Sequence, residues 1–165
     1  MLLRHPDTDD SRFPQDAWVP GEFGEPRTLL ATPAVNLRLE RGRAHPNGVL
    51  VSLTIRVPEP LSRDDQRSLA ENVMSFHAGS GHTGPCLAYR ASPSDGWTQA
   101  MPWGHGGARA LWTLQYWIPL DPDSRADLGL LFEWPDKAVI ERIDYPGQEW
   151  TTARGRAEYT GIGPR

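Results

Sequence analysis

Residues 49–57 read VLVSLTIRV, and this stretch decides the fold class. Every second residue in it, beginning with Val49, is valine, leucine or isoleucine. Three of the four residues between them are polar. This alternation has the two-residue period of a β-strand that buries one face. The stretch therefore predicts a half-buried strand.

The residues just before this strand predict its partner. Residues 35–39 read VNLRL and alternate in the same way. Between the two stretches lie residues 42–48, which end in Asn47 and Gly48, a pair that is favoured in tight turns. We therefore expect a β-hairpin in this part of the chain.

Further strands and one helix follow along the chain. Residues 62–77 suit a helix, because Ser62 can cap its start and Leu69 and Val73 lie four residues apart on one face. The later strand candidates are residues 86–91, 110–118, 128–134 and 138–144. We expect a mainly β fold, an antiparallel two-sheet sandwich (immunoglobulin-like or related) of about seven strands with one short helix.

The length of 165 residues fits one domain. Residues 1–17 are polar and rich in aspartate, which predicts a flexible N-terminal arm. Residues 18–150 carry the strand patterns and form the predicted β-sandwich domain. Residues 151–165 are weakly patterned, and we expect a polar C-terminal tail.

Charge and composition narrow the function classes. The net charge of −4 is the wrong sign for a protein that binds nucleic acid through phosphates. No stretch approaches the roughly 20 apolar residues of a membrane span. Cys86 is the single cysteine, so no intrachain disulfide forms, which favours a reducing compartment. We expect a soluble cytoplasmic protein, and the sequence carries no cofactor motif.

The longest segment without periodicity is residues 92–109, which we interpret as a loop. Loops of this length in compact domains are often functional. Trp97 and Trp103 could bind a partner protein or stack on a sugar, and they could also fold back onto the core. His105 and Arg109 complete this candidate site for a ligand or a partner.

A metal site is a second candidate. His77, His82 and His105 lie within thirty residues of each other and are of a type that binds zinc. They would support a metal-dependent hydrolase. The spacing matches no established zinc motif, and a strand at residues 86–91 would separate His82 from His105.

Several segments together resemble a family of small, functionally uncharacterised actinobacterial β-sandwich proteins. The resemblance covers residues 18–150. Its motifs are strand and turn residues, so it implies a fold and carries no activity over. The segments are WVPGE at 18–22, LLAT at 29–32, VNLRL at 35–39, HPNGV at 45–49, QYWIPL at 115–120 and FEWP at 132–135.

The sequence therefore favours a non-enzymatic protein-interaction module with an unknown protein partner. Two alternatives stay open: a carbohydrate-binding domain that uses the loop tryptophans, and the metal-dependent hydrolase. Exposed strand edges would also permit a homodimer.

Overall fold

The computed structural model describes residues 18–57, 62–74, 83–108 and 110–160, and in this part the chain is mainly β. It contains thirteen strand segments, two α-helices and one 3-10 helix at Pro135–Lys137. The strands are β1 (Trp18–Val19), β2 (Gly21–Phe23), β3 (Arg27–Ala31), β4 (Asn36–Leu39), β5 (Gly42–His45), β6 (Gly48–Arg56), β7 (Cys86–Arg90), β8 (Thr98–Gln99), β9 (Met101–Ala108), β10 (Leu111–Pro119), β11 (Leu128–Trp134), β12 (Val139–Tyr145) and β13 (Glu158–Tyr159). The helices are α1 (Arg63–Met74) and α2 (Gly147–Gly155). The predicted mainly β class is confirmed, whereas the predicted counts of about seven strands and one helix are too low.

The larger sheet is organised around β6, the strand that the sequence marks most clearly. On one side, β6 pairs antiparallel with β10 along its whole length, from Gly48 opposite Pro119 to Arg56 opposite Leu111. On the other side it pairs with β4 and then β5, which confirms the predicted antiparallel pairing. The turn predicted at residues 42–48 is shorter in the structure, because β5 (Gly42–His45) occupies its first four residues. The main path of this sheet is β2–β5–β6–β10–β9; β4 also pairs with β6, and β3 pairs with β4.

The smaller sheet contains four antiparallel strands in the order β12–β11–β7–β8, and β1 pairs with β13 separately. Only Ala100 separates β8 in the smaller sheet from β9 in the larger one. The prediction of a loop holds for residues 92–97, which form no helix or strand, and is wrong for residues 98–108, which contain β8 and β9. Three glycines in β9, and a register shift opposite Gln115 and Tyr116, hide the alternation that would reveal a strand.

One hydrophobic cluster includes buried side chains from the larger sheet, the smaller sheet and both helices. Leu53 and Ile55 of β6 belong to it together with Phe132 of β11, Val73 of α1 and Trp150 of α2. Burial of these side chains is the main contribution to stability. The helices are thus part of the same folded unit as the sheets.

The C-terminal helix α2 packs closely on β2. A Cβ atom on Gly21 would overlap the carbonyl oxygen of Ala153, so the two backbones touch directly. The predicted start of a polar tail at residue 151 falls inside α2, and β13 beyond it pairs with β1. The predicted N-terminal arm, residues 1–17, lies outside the described residues.

Candidate functional site

The predicted binding loop is divided between two parts of the fold. Trp97 precedes β8 of the smaller sheet and is half-buried. Trp103 and His105 lie on β9 of the larger sheet; Trp103 is 41% exposed and His105 is exposed. Arg109 lies outside the described residues. The predicted set is therefore divided between the segment before β8, which contains Trp97, and strand β9, which contains Trp103 and His105.

Two of the three histidines of the predicted metal site lie outside the residues that the structure describes. His77 and His82 are not among the described residues, and His105 is exposed on β9. Within residues 18–57, 62–74, 83–108 and 110–160, no group of three or more His, Cys, Asp or Glu side chains could hold a metal ion. The three-histidine site stays a prediction.

Cys86, the first residue of β7, is a buried thiol. Burial, with a smaller effect from the neighbouring Glu133 carboxylate, raises its pKa to about 11. Because the thiolate is the reactive form, this cysteine is a weak nucleophile at neutral pH. Cys86 is therefore a buried residue of the core.

Two guanidinium groups lie against the indole of Trp97. The Cζ atom of Arg90 is 4.8 Å from the centroid of the indole, and that of Arg142 is 6.0 Å from it. Cations at these distances are attracted to the face of an aromatic ring. Beside them is an open cavity of about 290 Å³. We call this site the Trp97 cleft; its walls are Arg90, Pro93, Asp127, Gly129, Arg142 and Asp144.

Strand register brings the charged residues of the Trp97 cleft together. Gly129 on β11 pairs with Arg90 on β7 and with Asp144 on β12, so the three form one row across the sheet. A Cβ atom on Gly129 would lie 3.0 Å from Cγ of Arg90 and 3.1 Å from Oδ1 of Asp144. Among the described glycines, Gly24 alone has a positive φ, so the backbone does not require glycine at 129. The two neighbouring side chains use the space that a Cβ would occupy.

The charges in the Trp97 cleft are compensated unequally. Nε of Arg142 donates to Oδ2 of Asp144 at 3.0 Å, and Nη2 of Arg142 donates to Oδ1 at 3.2 Å. Asp127 accepts a hydrogen bond from the backbone N–H of Gly147, where α2 begins, at 2.8 Å. Arg90 donates to the carbonyl of Pro93 at 3.4 Å, and no described carboxylate lies within ion-pair distance of it.

Sequence reasoning named Trp97 but missed the residues around it. Arg90, Gly129 and Asp144 lie on three strands, and their proximity depends on strand register. One signal was present in the sequence: a glycine in the interior of the alternating stretch LGLLFEW at 128–134. An isolated glycine in a strand often marks a close approach of neighbouring groups.

A larger cavity, of about 520 Å³, lies beside α1 and includes Asn72, Thr83 and Lys137. Its polar groups hold elements of the fold together. The indole N–H of Trp134 donates to Oδ1 of Asn72 at 2.7 Å, and Nδ2 of Asn72 donates to Oγ1 of Thr83 at 2.9 Å. We therefore assign these contacts to the attachment of α1.

Comparison with known proteins gives no family for this chain: no protein-family model matches it, and neither does any curated protein. In the described part of the chain, no helix has the length and apolar character needed to cross a membrane. The geometry of the Trp97 cleft is thus the basis for a functional proposal.

Proposed function

We propose that this protein is a non-enzymatic interaction module that binds another protein through the Trp97 cleft. The observation that carries the proposal is the half-buried indole of Trp97 beside Arg90 and Arg142, two of the residues that line an open cavity. Tryptophan and arginine are enriched among the residues that dominate protein–protein binding energy. A half-buried indole offers a large contact area at a small cost in side-chain entropy.

An exposed aliphatic side chain adds to this surface. Ile140 is 71% exposed and lies on β12 two residues before Arg142. Side chains two residues apart on a strand share a face. Ile140, Arg142 and Asp144 therefore lie on the same face, with the indole of Trp97 beside Arg142. Such a mixture of aliphatic, aromatic and arginine side chains is typical of a protein interface.

The scaffold in this proposal is a β-sandwich. Side chains of the larger and the smaller sheet belong to one hydrophobic cluster, which supports a face-to-face packing of these two sheets. Membership in the actinobacterial β-sandwich family and a place in the cytoplasm belong to the same proposal.

Carbohydrate binding ranks second for a specific reason. A sugar ring binds tryptophan by stacking on the indole face, and the guanidinium of Arg90 already lies 4.8 Å from the centroid of that ring. Stacking on that side would displace a favourable cation. A change in tryptophan fluorescence on addition of a glycan, lost in Trp97→Ala, would favour the sugar over the protein partner.

The metal-dependent hydrolase built on His77, His82 and His105 also stays a prediction. It requires about one equivalent of bound metal in protein purified without chelators or a histidine tag. A metal-free preparation with full stability would contradict it.

The interaction proposal is tested by affinity capture with three proteins: the wild type, Trp97→Ala, and Leu111→Ala as a control. Leu111 lies at the start of β10 in the larger sheet and is 43% exposed. We expect the wild type to capture a partner protein, and Leu111→Ala to capture the same amount of it. Trp97→Ala should capture about thirtyfold less, the loss expected for a residue that contributes about 2 kcal/mol of binding free energy.

Thermal unfolding is measured on the same three proteins. If Trp97→Ala unfolds the protein, Trp97 is a core residue and the site assignment is lost. The proposal also fails if both variants capture the same partners as the wild type.

A further inference from the structure

We infer that the partner segment in the Trp97 cleft is an acidic peptide, and that the guanidinium of Arg90 binds one of its carboxylates. This inference rests on the proposed function. Its basis is the combination of an uncompensated arginine, a ring that holds it in place, and a glycine that makes room for it.

Charge identifies Arg90 as the cation that is open to a ligand. The charge of Arg142 is matched by Asp144, with contacts of 3.0–3.3 Å. The carboxylate of Asp127 is stabilised by the N–H of Gly147 and by the positive end of the α2 dipole. The contacts of Arg90 are a carbonyl and an indole, both without charge. A carboxylate in the cleft would supply the ion pair that the described residues do not give Arg90.

The indole holds Arg90 without using its hydrogen-bond donors. A guanidinium has five N–H donors in one plane, and the carbonyl of Pro93 accepts from Nη1. The other donors can bind both oxygens of one carboxylate, an arrangement that lysine cannot reproduce. Because the ring already restrains Arg90, a ligand loses less free energy in ordering it.

Gly129 gives a way to move Arg90 without changing any charge. Glycine inside a strand weakens the strand relative to alanine, and the backbone at 129 does not need it. In Gly129→Ala, the new Cβ would lie 3.0 Å from Cγ and 3.1 Å from Nε of Arg90, and also 3.1 Å from Oδ1 of Asp144. The side chains of Arg90 and Asp144 must give way by a few tenths of an ångström, and this crowding offsets the stabilisation of the strand by alanine.

The net negative charge of the protein means that an acidic peptide could bind only at a local cationic site. At −4, the protein as a whole repels an acidic peptide. Binding of such a peptide therefore requires a local cationic site, and it should weaken as salt increases.

The probe is a fluorescent ten-residue glutamate peptide with an amidated C-terminus, and the matched control peptide is ten glutamines. Fluorescence anisotropy is measured with the full chain and with Arg90→Gln, Arg90→Lys, Gly129→Ala and Arg56→Gln. Arg56 is an exposed arginine at the end of β6 in the larger sheet and serves as the charge-matched control.

We expect the wild type to bind the glutamate peptide and not the glutamine peptide. Arg90→Gln should weaken binding about tenfold or more, and Arg90→Lys about threefold to tenfold. Gly129→Ala should weaken binding about threefold or more with an unchanged midpoint of thermal unfolding, and Arg56→Gln should stay within about twofold of the wild type.

Three results would overturn the inference: no binding of the glutamate peptide, an equal loss in Arg56→Gln and Arg90→Gln, or full displacement of the peptide by an equal concentration of inorganic phosphate. The last result would indicate a general oxyanion site. If the peptide fails but partners that depend on Trp97 are still captured, the acidic ligand is wrong and the interaction module stands. If those partners are also absent, both proposals fail.

Discussion

Four of the seven tryptophans of this protein fall into two contrasting regions. Trp117, Trp134 and Trp150 are at most 1% exposed and lie in the interior. The indole N–H groups of Trp134 and Trp150 donate to partners inside the protein at 2.7 Å and 3.0 Å. Trp97, in contrast, is half-buried, and the guanidinium groups of Arg90 and Arg142, which line the Trp97 cleft, lie 4.8 Å and 6.0 Å from the centroid of its indole. The groups around the indole, more than the residue type, distinguish the structural tryptophans from the one that we propose binds a partner.

The strongest test of this contrast removes one indole from each region. Trp150→Ala should lower the free energy of unfolding by about 3–5 kcal/mol, because it leaves a cavity in the core. Trp97→Ala should lower it by less than about 1 kcal/mol, as expected for a surface substitution. Urea unfolding of both variants measures the difference. Equal losses would place Trp97 in the core and remove the contrast.

A second test asks whether α2, which carries Trp150, is as firmly fixed as its tryptophan. Gly21→Ala should destabilise the protein by about 2–3 kcal/mol, because the new Cβ overlaps the backbone of Ala153 and the helix must move. Gly155→Ala is the control, since a Cβ there meets nothing within 4 Å, and it should be neutral or stabilising. Thermal unfolding distinguishes the two, and a neutral Gly21→Ala would mean that α2 is loosely attached.

How well the sequence predicts the fold depends on how much each element displays its buried face. The strands β6, β10 and β11 have alternating large apolar residues, and the sequence reveals them. The start of α1 was also predicted, because serine is a favoured capping residue. In the structure, Oγ of Ser62 accepts a hydrogen bond from the backbone N–H of Asp65 at 3.1 Å. Glycine-rich β9 has few side chains that could alternate, and α2 buries little besides Trp150 and Ala153.

The candidate site was harder to predict for a different reason. Trp97 stands out in the sequence because it is a large aromatic residue in a segment without periodicity. Its neighbours Arg90, Arg142 and Asp144 look like ordinary surface charges until strand pairing brings them together. No local pattern encodes the register of β7 against β11, so the site could be recognised only in three dimensions.

The contrast also predicts different responses to alkaline pH. In the core, burial raises the pKa of Cys86 from 9.0 to about 11 and that of Tyr145 from 10.0 to about 12. A raised pKa means that folding favours the protonated form. The stabilisation is therefore complete below about pH 9 and is lost as the pH rises toward 11.

We expect the free energy of unfolding to fall by about 2–3 kcal/mol across that interval, and the fall should be smaller in Cys86→Ala. Urea unfolding at a series of pH values measures it. Peptide binding at the Trp97 cleft does not involve the core groups Cys86 and Tyr145, so binding by the folded protein should change little between pH 8 and pH 9. A stability curve that is flat up to pH 11 would mean that Cys86 is reached by solvent.

The smallest expected effect, and the most direct comparison of the two regions, comes from replacing tryptophan by phenylalanine. Trp134→Phe removes the N–H that donates to Asn72 and should cost about 1–2 kcal/mol. Trp97→Phe keeps an aromatic face for Arg90, and none of the described residues accepts a hydrogen bond from Trp97. It should cost less than about 0.5 kcal/mol. Chemical denaturation resolves this difference, and a larger cost for Trp97→Phe would show that Trp97 is held by contacts within the fold and not kept for a partner.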